Sequence, residues 1–110
     1  MAQYAYQQIT IAGAAITPVT PTASDTVAPD ERGFLLYENS NAAVRNIAIV
    51  TPAGLNFGGV DLPNITRQIA ATTGRALIGP LVGALADPAT NLITVTIDAT
   101  AGVTVAAVRV

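Results

Sequence analysis

The chain contains no histidine, no cysteine and no tryptophan among its 110 residues. Without histidine it lacks the usual general base at neutral pH, and without cysteine it has no disulfide framework and no thiolate metal site. Ser-His, Cys-His and zinc arrangements are therefore excluded. A carboxylate pair remains as a catalytic option, but most acidic residues fall at predicted turns and strand ends. The sequence predicts no enzyme activity, no cofactor and no bound metal.

Charged side chains are also scarce. They make up 11% of the residues, against about 25% in an average soluble domain. Because the net charge is −2 and the five arginines are scattered, we expect no binding to nucleic acid. Part of the surface is predicted to be covered by protein partners, since burial of apolar surface drives association. The alternative is a small domain that solvates itself with threonine and asparagine.

Long hydrophobic runs are missing as well. No uncharged stretch contains the roughly 18 apolar residues that a membrane-spanning helix needs. The first 24 residues carry no charge, but no basic segment precedes the apolar residues 9–16, and Thr10 and Gly13 interrupt them. This pattern is not that of a signal peptide. The sequence therefore predicts a soluble protein made in the cytoplasm and no membrane partner.

What the chain does contain is β-branched residues that alternate with turn residues, which is typical of short strands joined by tight loops. The predicted fold class is all-β: a small β-sandwich or jelly-roll-like barrel of six to eight short antiparallel strands with an extended N-terminal arm. Pro18 and Pro21 favour an extended segment without ladder donors. Residues 1–22 are therefore predicted as an N-terminal strand and Pro-rich arm, and residues 23–110 as the β-sandwich domain.

Individual strands follow from the residue alternation. The clearest are residues 91–98 and 103–110, which we expect to form an antiparallel hairpin with both apolar faces toward the core. Residues 7–12 are expected to form a strand with Ile9 and Ile11 on one face. Further expectations are strands at residues 34–39, 45–51, 65–71 and 75–78, a hairpin tip at residues 57–60, and one helical turn or a packed loop at residues 81–86.

Four side chains are candidates for a protein interface. Tyr4 and Tyr6 lie in an uncharged tail that could dock on a neighbouring subunit, since aromatic residues anchor interfaces and an extended tail can add a strand to a sheet. Alternatively, they cover the edge of the chain's own sheet. Arg67 lies between two isoleucines and needs a partner if that face is covered. Arg109 could lie at a contact edge. The alternative for both arginines is a solvated charge.

Three segments share a pattern with a known family. Residues 30–39 read as an acidic-arginine turn followed by an apolar strand that ends in asparagine, residues 77–81 contain a Leu-Ile-Gly-Pro corner, and residues 103–110 form a Thr-Val-Ala-Ala strand that ends near an arginine. In this order and spacing they resemble the small capsid decoration, or minor capsid, proteins of tailed bacteriophages. The segments cover about a quarter of the chain, and residues 55–64 depart from the pattern.

The resemblance implies a β-sandwich-like fold, no enzyme activity, and binding to the outer face of an assembled shell. The partner would be the major capsid protein and the location the capsid surface of the virion. We further expect a homo-oligomer, with a trimer at three-fold positions as the first guess. Two alternatives remain open: another virion component, such as a head–tail connector, tail tube or fibre domain, and a bacterial surface or carbohydrate-binding module.

Overall fold

The computed structural model describes residues 2–13, 15–52 and 55–110, and the backbone alone of Phe57 and Asp61. Within these residues the chain is all-β, as predicted, with a single 3₁₀ turn at Gly83–Leu85, inside the predicted turn or loop. None of the described segments is a helix long and apolar enough to cross a membrane. The strands are β1 (Gln3–Tyr4), β2 (Gln7–Gln8), β3 (Ser24–Val27), β4 (Gly33–Asn39), β5 (Arg45–Ile49), β6 (Asn56–Phe57), β7 (Val60–Asp61), β8 (Ile65–Ile69), β9 (Gly74–Ile78), β10 (Ile93–Ile97) and β11 (Val103–Arg109).

Two sheets form a small β-sandwich. Sheet A has the strand order β1-β3-β10-β5-β8, and sheet B the order β2-β11-β4-β9. The seven strands of four or more residues pair antiparallel, which agrees with the predicted six to eight. The two-residue strands β1 and β2 instead pair parallel with β3 and β11. Strands β6 and β7 form a separate hairpin around Gly58 and Gly59, at the predicted tip.

The core lies between the sheets and is mainly aliphatic. Residues two apart in a strand share a face, so one face of each central strand is buried. Sheet A contributes Val27, Ile47, Ile49, Ile69, Ile93, Val95 and Ile97, and sheet B contributes Leu35, Tyr37, Ala76, Val103, Val105 and Ala107. Full burial of such an aliphatic side chain contributes roughly 1.5–3 kcal/mol.

The predicted hairpin of residues 91–98 and 103–110 is wrong. Strand β10 lies in sheet A between β3 and β5, whereas β11 lies in sheet B between β2 and β4. The turn at residues 101–102 carries the chain from one sheet to the other. Both apolar faces do meet the same core, as predicted, but from opposite sides. The alternation of polar and apolar residues determines which face a strand buries, but it does not determine which strand lies beside it.

The N-terminal region also departs from the prediction. Strand β2 ends at Gln8 instead of continuing to residue 12, and Ile9 and Ile11 are exposed. The chain turns back there, with the N–H of Gly13 donating to the carbonyl of Thr10 at 2.9 Å. Through β1 and β2, the first residues of the predicted arm form one edge of sheet A and one edge of sheet B.

The described residues 10–13 and 15–18, here called the connecting segment, lie between β2 and Val19, which again contacts β11. The side chain of Gln7 is hydrogen-bonded to both backbone groups of Thr17: its Nε2 donates to the carbonyl at 2.9 Å, and its Oε1 accepts from the N–H at 2.7 Å. The next residues join the sheet again, since Val19 forms an antiparallel bridge with Val105 of β11. The connecting segment therefore lies between two points that are both fixed on β11.

Candidate interaction surface

The outward faces of the two sheets carry different side chains. In sheet A the residues that point away from the core are small or polar. This follows from the register, which places Thr94 beside Thr26, and Thr96 beside Ser24 and Ala48. The outward set is Ser24, Thr26, Asn46, Ala48, Thr66, Gln68, Thr94 and Thr96. Water can hydrogen-bond to these hydroxyl and amide groups, so this face is stable in solvent without a protein partner.

The outward face of sheet B carries two apolar rows beside a polar row of Thr104, Glu38 and Arg75. The register places Ala106, Leu36 and Leu77 in one row and Val108 beside Phe34 in the next. Leu77 is 62% exposed, while Phe34 and Leu36 are half-buried. Leu77 thus continues, at the surface, an aliphatic row whose other members are covered or half-buried. We call these five residues the apolar face.

The N-terminal region of the chain covers one side of the apolar face. Ile16 and Pro18 of the connecting segment line a shallow pocket together with Leu36 and Ala106. Ala106 and Val108 are only 3% and 4% exposed, although they point away from the core. This cover does not extend to Leu77, so the exposed part of the apolar face lies on the β9 side.

Charged groups near the apolar face are paired within the chain. Beyond the row that contains Leu77, Nε of Arg75 lies 3.4 Å from Oε1 of Glu38, and both side chains are well exposed. At the opposite end of sheet B, Nε of Arg109 lies 3.1 Å from Oδ2 of Asp30. Docking on this face would therefore depend on apolar burial more than on charge pairing.

The three segments with the family pattern all belong to sheet B and meet at one end of it. They contain β4 and β11 and the end of β9, which are neighbouring strands. The N–H of Asp30 donates to the carbonyl of Leu81 at 2.8 Å, and the N–H of Leu81 donates to the carbonyl of Gly33 at 3.0 Å. Arg109 adds its contact with Asp30. Within the chain, these motif residues hold the turn, the corner and β11 together.

A buried carboxylate attaches the N-terminal strand to sheet A. Asp25 is 1% exposed and accepts hydrogen bonds from the N–H groups of Ala2 and Thr22, both at 2.8 Å, and from the hydroxyl groups of Tyr4 and Thr22. Burial raises the pKa of Asp25, but the four hydrogen bonds outweigh it and hold the pKa below its usual value. Sequence reasoning missed this cluster because two of its donors lie more than 20 residues away along the chain.

Tyr4 and Tyr6 both lie against their own chain. Tyr4 is a core residue with 8% exposure. Tyr6 is half-buried, its hydroxyl donates to the carbonyl of Ala28, and its ring lies so close to Gly33 that a Cβ there would come within 2.5 Å. Burial, with a smaller contribution from the Asp30 carboxylate, raises the pKa of Tyr6 to about 12. This is the arrangement in which the tyrosines cover their own sheet edge, and an additional contact with a neighbouring subunit stays a prediction.

The structure places the two candidate arginines far apart in the topology. Arg67 is exposed on β8, an edge strand of sheet A, where it lies beside Ile47 of β5 and forms no ion pair among the described residues. A charge that points to the core side of an edge strand discourages pairing with another edge. Arg109 is on β11 in the other sheet, next to Asp30. The structure brings Tyr6 and Arg109 to the same region and leaves Arg67 outside it, and an interface role for any of them stays a prediction.

Sequence reasoning also missed the apolar face, although a signal for it was present. Residues 34–37 are all apolar, so both faces of the strand predicted at residues 34–39 carry apolar side chains, as in a central strand of a sandwich. The structure buries Leu35 and Tyr37 in the core and leaves Phe34 and Leu36 half-buried on the outside. A run that is apolar on both strand faces therefore indicated a second, outward contact as well as the core.

Comparisons with known proteins were made at the level of sequence families, curated proteins and solved structures. No family model matches the chain, and neither a curated protein nor a solved structure matches it significantly.

Proposed function

We propose that the protein is a structural virion protein that binds the outer surface of a tailed-phage capsid and cements neighbouring major capsid subunits. The observation that carries this proposal is the apolar face of sheet B, with Leu77 62% exposed beside further aliphatic side chains. Burial of apolar surface contributes roughly 25 cal/mol per Å². Docking on another protein would therefore stabilise this face, while the polar face of sheet A stays in solvent.

The low charge of the chain supports a role on a repeating lattice. With 11% charged residues and its nearby ion pairs formed internally, the chain offers little for long-range electrostatic attraction. A single small apolar contact would bind weakly. On a shell, however, many sites lie close together, and linked copies gain effective concentration without any new contact.

The resemblance of residues 30–39, 77–81 and 103–110 to decoration proteins supports the choice of partner. These segments build three neighbouring strands of sheet B, the sheet that carries the apolar face. The proposed partner is the major capsid protein, the proposed location is the outer capsid surface, and a homo-oligomer at three-fold positions remains part of the proposal.

The test is sedimentation of the purified protein with expanded capsids of the phage whose genome encodes it. We expect binding that saturates at a fixed number of copies per capsid. Leu77→Asp should weaken binding at least about tenfold, because an unpaired carboxylate would be buried at the contact. Thr66→Asp is the matched control: it places the same charge at an exposed position of an edge strand on the outward face of sheet A, and it should bind like the natural chain.

Four results would contradict the proposal. The first is no attachment to capsids at any protein concentration, and the second is equal loss of binding in the two variants. Self-assembly into rings without attachment would favour a tail component instead. Binding to glycans, together with no capsid binding, would favour a surface module.

A further inference from the structure

The residues that follow β2 have a sequence typical of a β-strand, but they do not form one in the structure. Residues 7–12 alternate polar and β-branched residues, the pattern of a half-buried strand. In the structure only Gln7 and Gln8 are paired, Ile9 is 41% exposed, and Ile11 is completely exposed. Local preference and observed conformation usually agree in a folded protein. Here they disagree, and the two isoleucines are left exposed.

Residues 2–8, which precede this segment, occupy a specific site on the rest of the chain, here called the N-terminal site. Ala2 and Tyr4 are hydrogen-bonded to the buried Asp25, and Tyr6 packs against Gly33 and donates to Ala28. Every one of these partners belongs to residues 22–33 or to β11. Residues 2–8 of a second, identical chain would make the same contacts in the N-terminal site of the first chain.

The connecting segment is long enough to reach a neighbouring copy. Its ends are fixed at the two positions of β11 that contact Ile9 and Val19, namely Arg109 and Val105. Four residues of a strand span about 13 Å. The ten residue-to-residue steps from Ile9 to Val19 can extend over about 33–36 Å. More than half of this reach is unused when the segment turns back at Thr10 and Gly13.

We propose that residues 2–9 exchange between copies of this chain. In the exchanged form, the turn at Thr10–Gly13 opens and β2 continues through residue 12. Each N-terminal segment then occupies the N-terminal site of a second copy. The contacts in the N-terminal site are the same in the single chain and in the exchanged form, which makes such exchange a low-cost route to an oligomer. The gain comes from the junction between copies, where Ile9 and Ile11 become covered. Because association costs translational entropy, the exchanged form should increase with protein concentration.

Engineered disulfides test the exchange directly, since the natural chain has no cysteine. Gln3 and Thr26 are paired residues of β1 and β3, and paired positions of neighbouring strands satisfy the Cα spacing that a disulfide requires. In the double variant Gln3→Cys, Thr26→Cys, oxidation links two chains if the segments are exchanged and closes a bond within one chain if they are not. The matched control is Ala48→Cys, Thr66→Cys, which joins β5 to β8 outside the exchanging segment.

The readout is a denaturing gel without reductant, after refolding over a range of protein concentrations. We expect covalent species of two or more chain masses in the β1–β3 pair, increasing with concentration, and one chain mass in the control. Bonds within single chains at every concentration would overturn the exchange, including in samples that are oligomeric by light scattering. Equal interchain bonding in both pairs would overturn it as well.

A second variant tests the junction. Ile11→Asp should lower the exchanged fraction about tenfold, because it places an unpaired charge where the isoleucines are covered, while the monomer keeps its fold. Val60→Asp, at another exposed aliphatic position, should leave the fraction unchanged, and equal effects of the two would contradict the proposal. Since no capsid is present in these experiments, their failure would leave the capsid-binding proposal unaffected.

Discussion

The two sheets contribute equally apolar faces to the core and opposite kinds of face to the surface. Sheet A presents threonine, serine, asparagine and glutamine outward, whereas sheet B presents Phe34, Leu36 and Leu77. In a sandwich of two sheets, only one face of each strand is needed for the core. The outward residues are therefore free to differ: sheet A presents small and polar groups, whereas sheet B presents two apolar rows beside the charged pair of Glu38 and Arg75.

The largest expected effect concerns the attachment of the N-terminal strand to sheet A. Asp25→Ala should lower the free energy of unfolding by about 3–5 kcal/mol, because four hydrogen-bond donors lose their buried acceptor. Asp98→Ala is the control. Its carboxylate also accepts hydrogen bonds, from Asn46, but it is exposed, so water replaces them and the loss should stay below about 1 kcal/mol. Urea unfolding measures both.

The pH dependence of stability should follow from the same carboxylate. The pKa of Asp25 is lower in the folded chain than the usual value, and an unfolded aspartate titrates at pH ~3.9. Its contribution is therefore fully present above this range and is lost as the pH falls through the folded-state pKa. Asp25→Ala should flatten this acid-induced loss, and an unchanged acid profile would contradict the assignment.

An intermediate loss of stability is expected when a charge is placed on the outward face of an interior strand, and its size should differ between the two sheets. Leu36→Asp, on β4, should cost about 2–4 kcal/mol of stability, since a charge would enter the half-buried apolar face. Thr96→Asp, at a comparably half-buried position on β10, should cost about 1 kcal/mol, because its neighbours are polar and partly solvated. Midpoints of urea unfolding at constant slope give the comparison. Equal costs would mean that the two faces do not differ.

The smallest effect is expected at the exposed ion pair on sheet B. Arg75→Gln should change stability by less than about 0.5 kcal/mol, because solvent screens the contact with Glu38, whose side chain is 44% exposed. A thermal unfolding curve that overlaps that of the natural chain is the expected result. A larger loss would show that the charged row, as well as the apolar row, stabilises this face.

The fold class could be predicted from the sequence, and the strand partners could not. Alternation in residues 91–98 and 103–110 correctly gave two strands that face one core, because periodicity of two fixes the buried side. The alternation did not predict the pairing, because each of these two strands would bury the same face beside any of several neighbouring strands. The tight turn at Gly102 looked like a hairpin turn, but it changes sheets.

The candidate site was predictable only in part. Tyr4 was selected because aromatic residues anchor contacts, but its partner Asp25 lies 21 residues away and no local pattern connects them. Ile9 and Ile11 were assigned to a strand by their alternation, and the turn at Gly13 overrides it in the single chain. Residues 34–37 are apolar on both strand faces, but only Leu35 and Tyr37 enter the core, while Phe34 and Leu36 are half-buried on the outward face.

The position of β11 between β2 and β4 has a consequence for synthesis. Gly33–Asn39 leaves the ribosome well before Val103–Arg109, with which it pairs along its whole length. Until that later strand arrives, sheet B lacks an interior strand, and Phe34 and Leu36 do not yet lie beside Ala106 and Val108. Such distant pairing slows folding and leaves apolar segments exposed in the meantime. A nascent chain therefore lacks the finished apolar face, and the docking proposed for that face would have to wait until β11 has been translated.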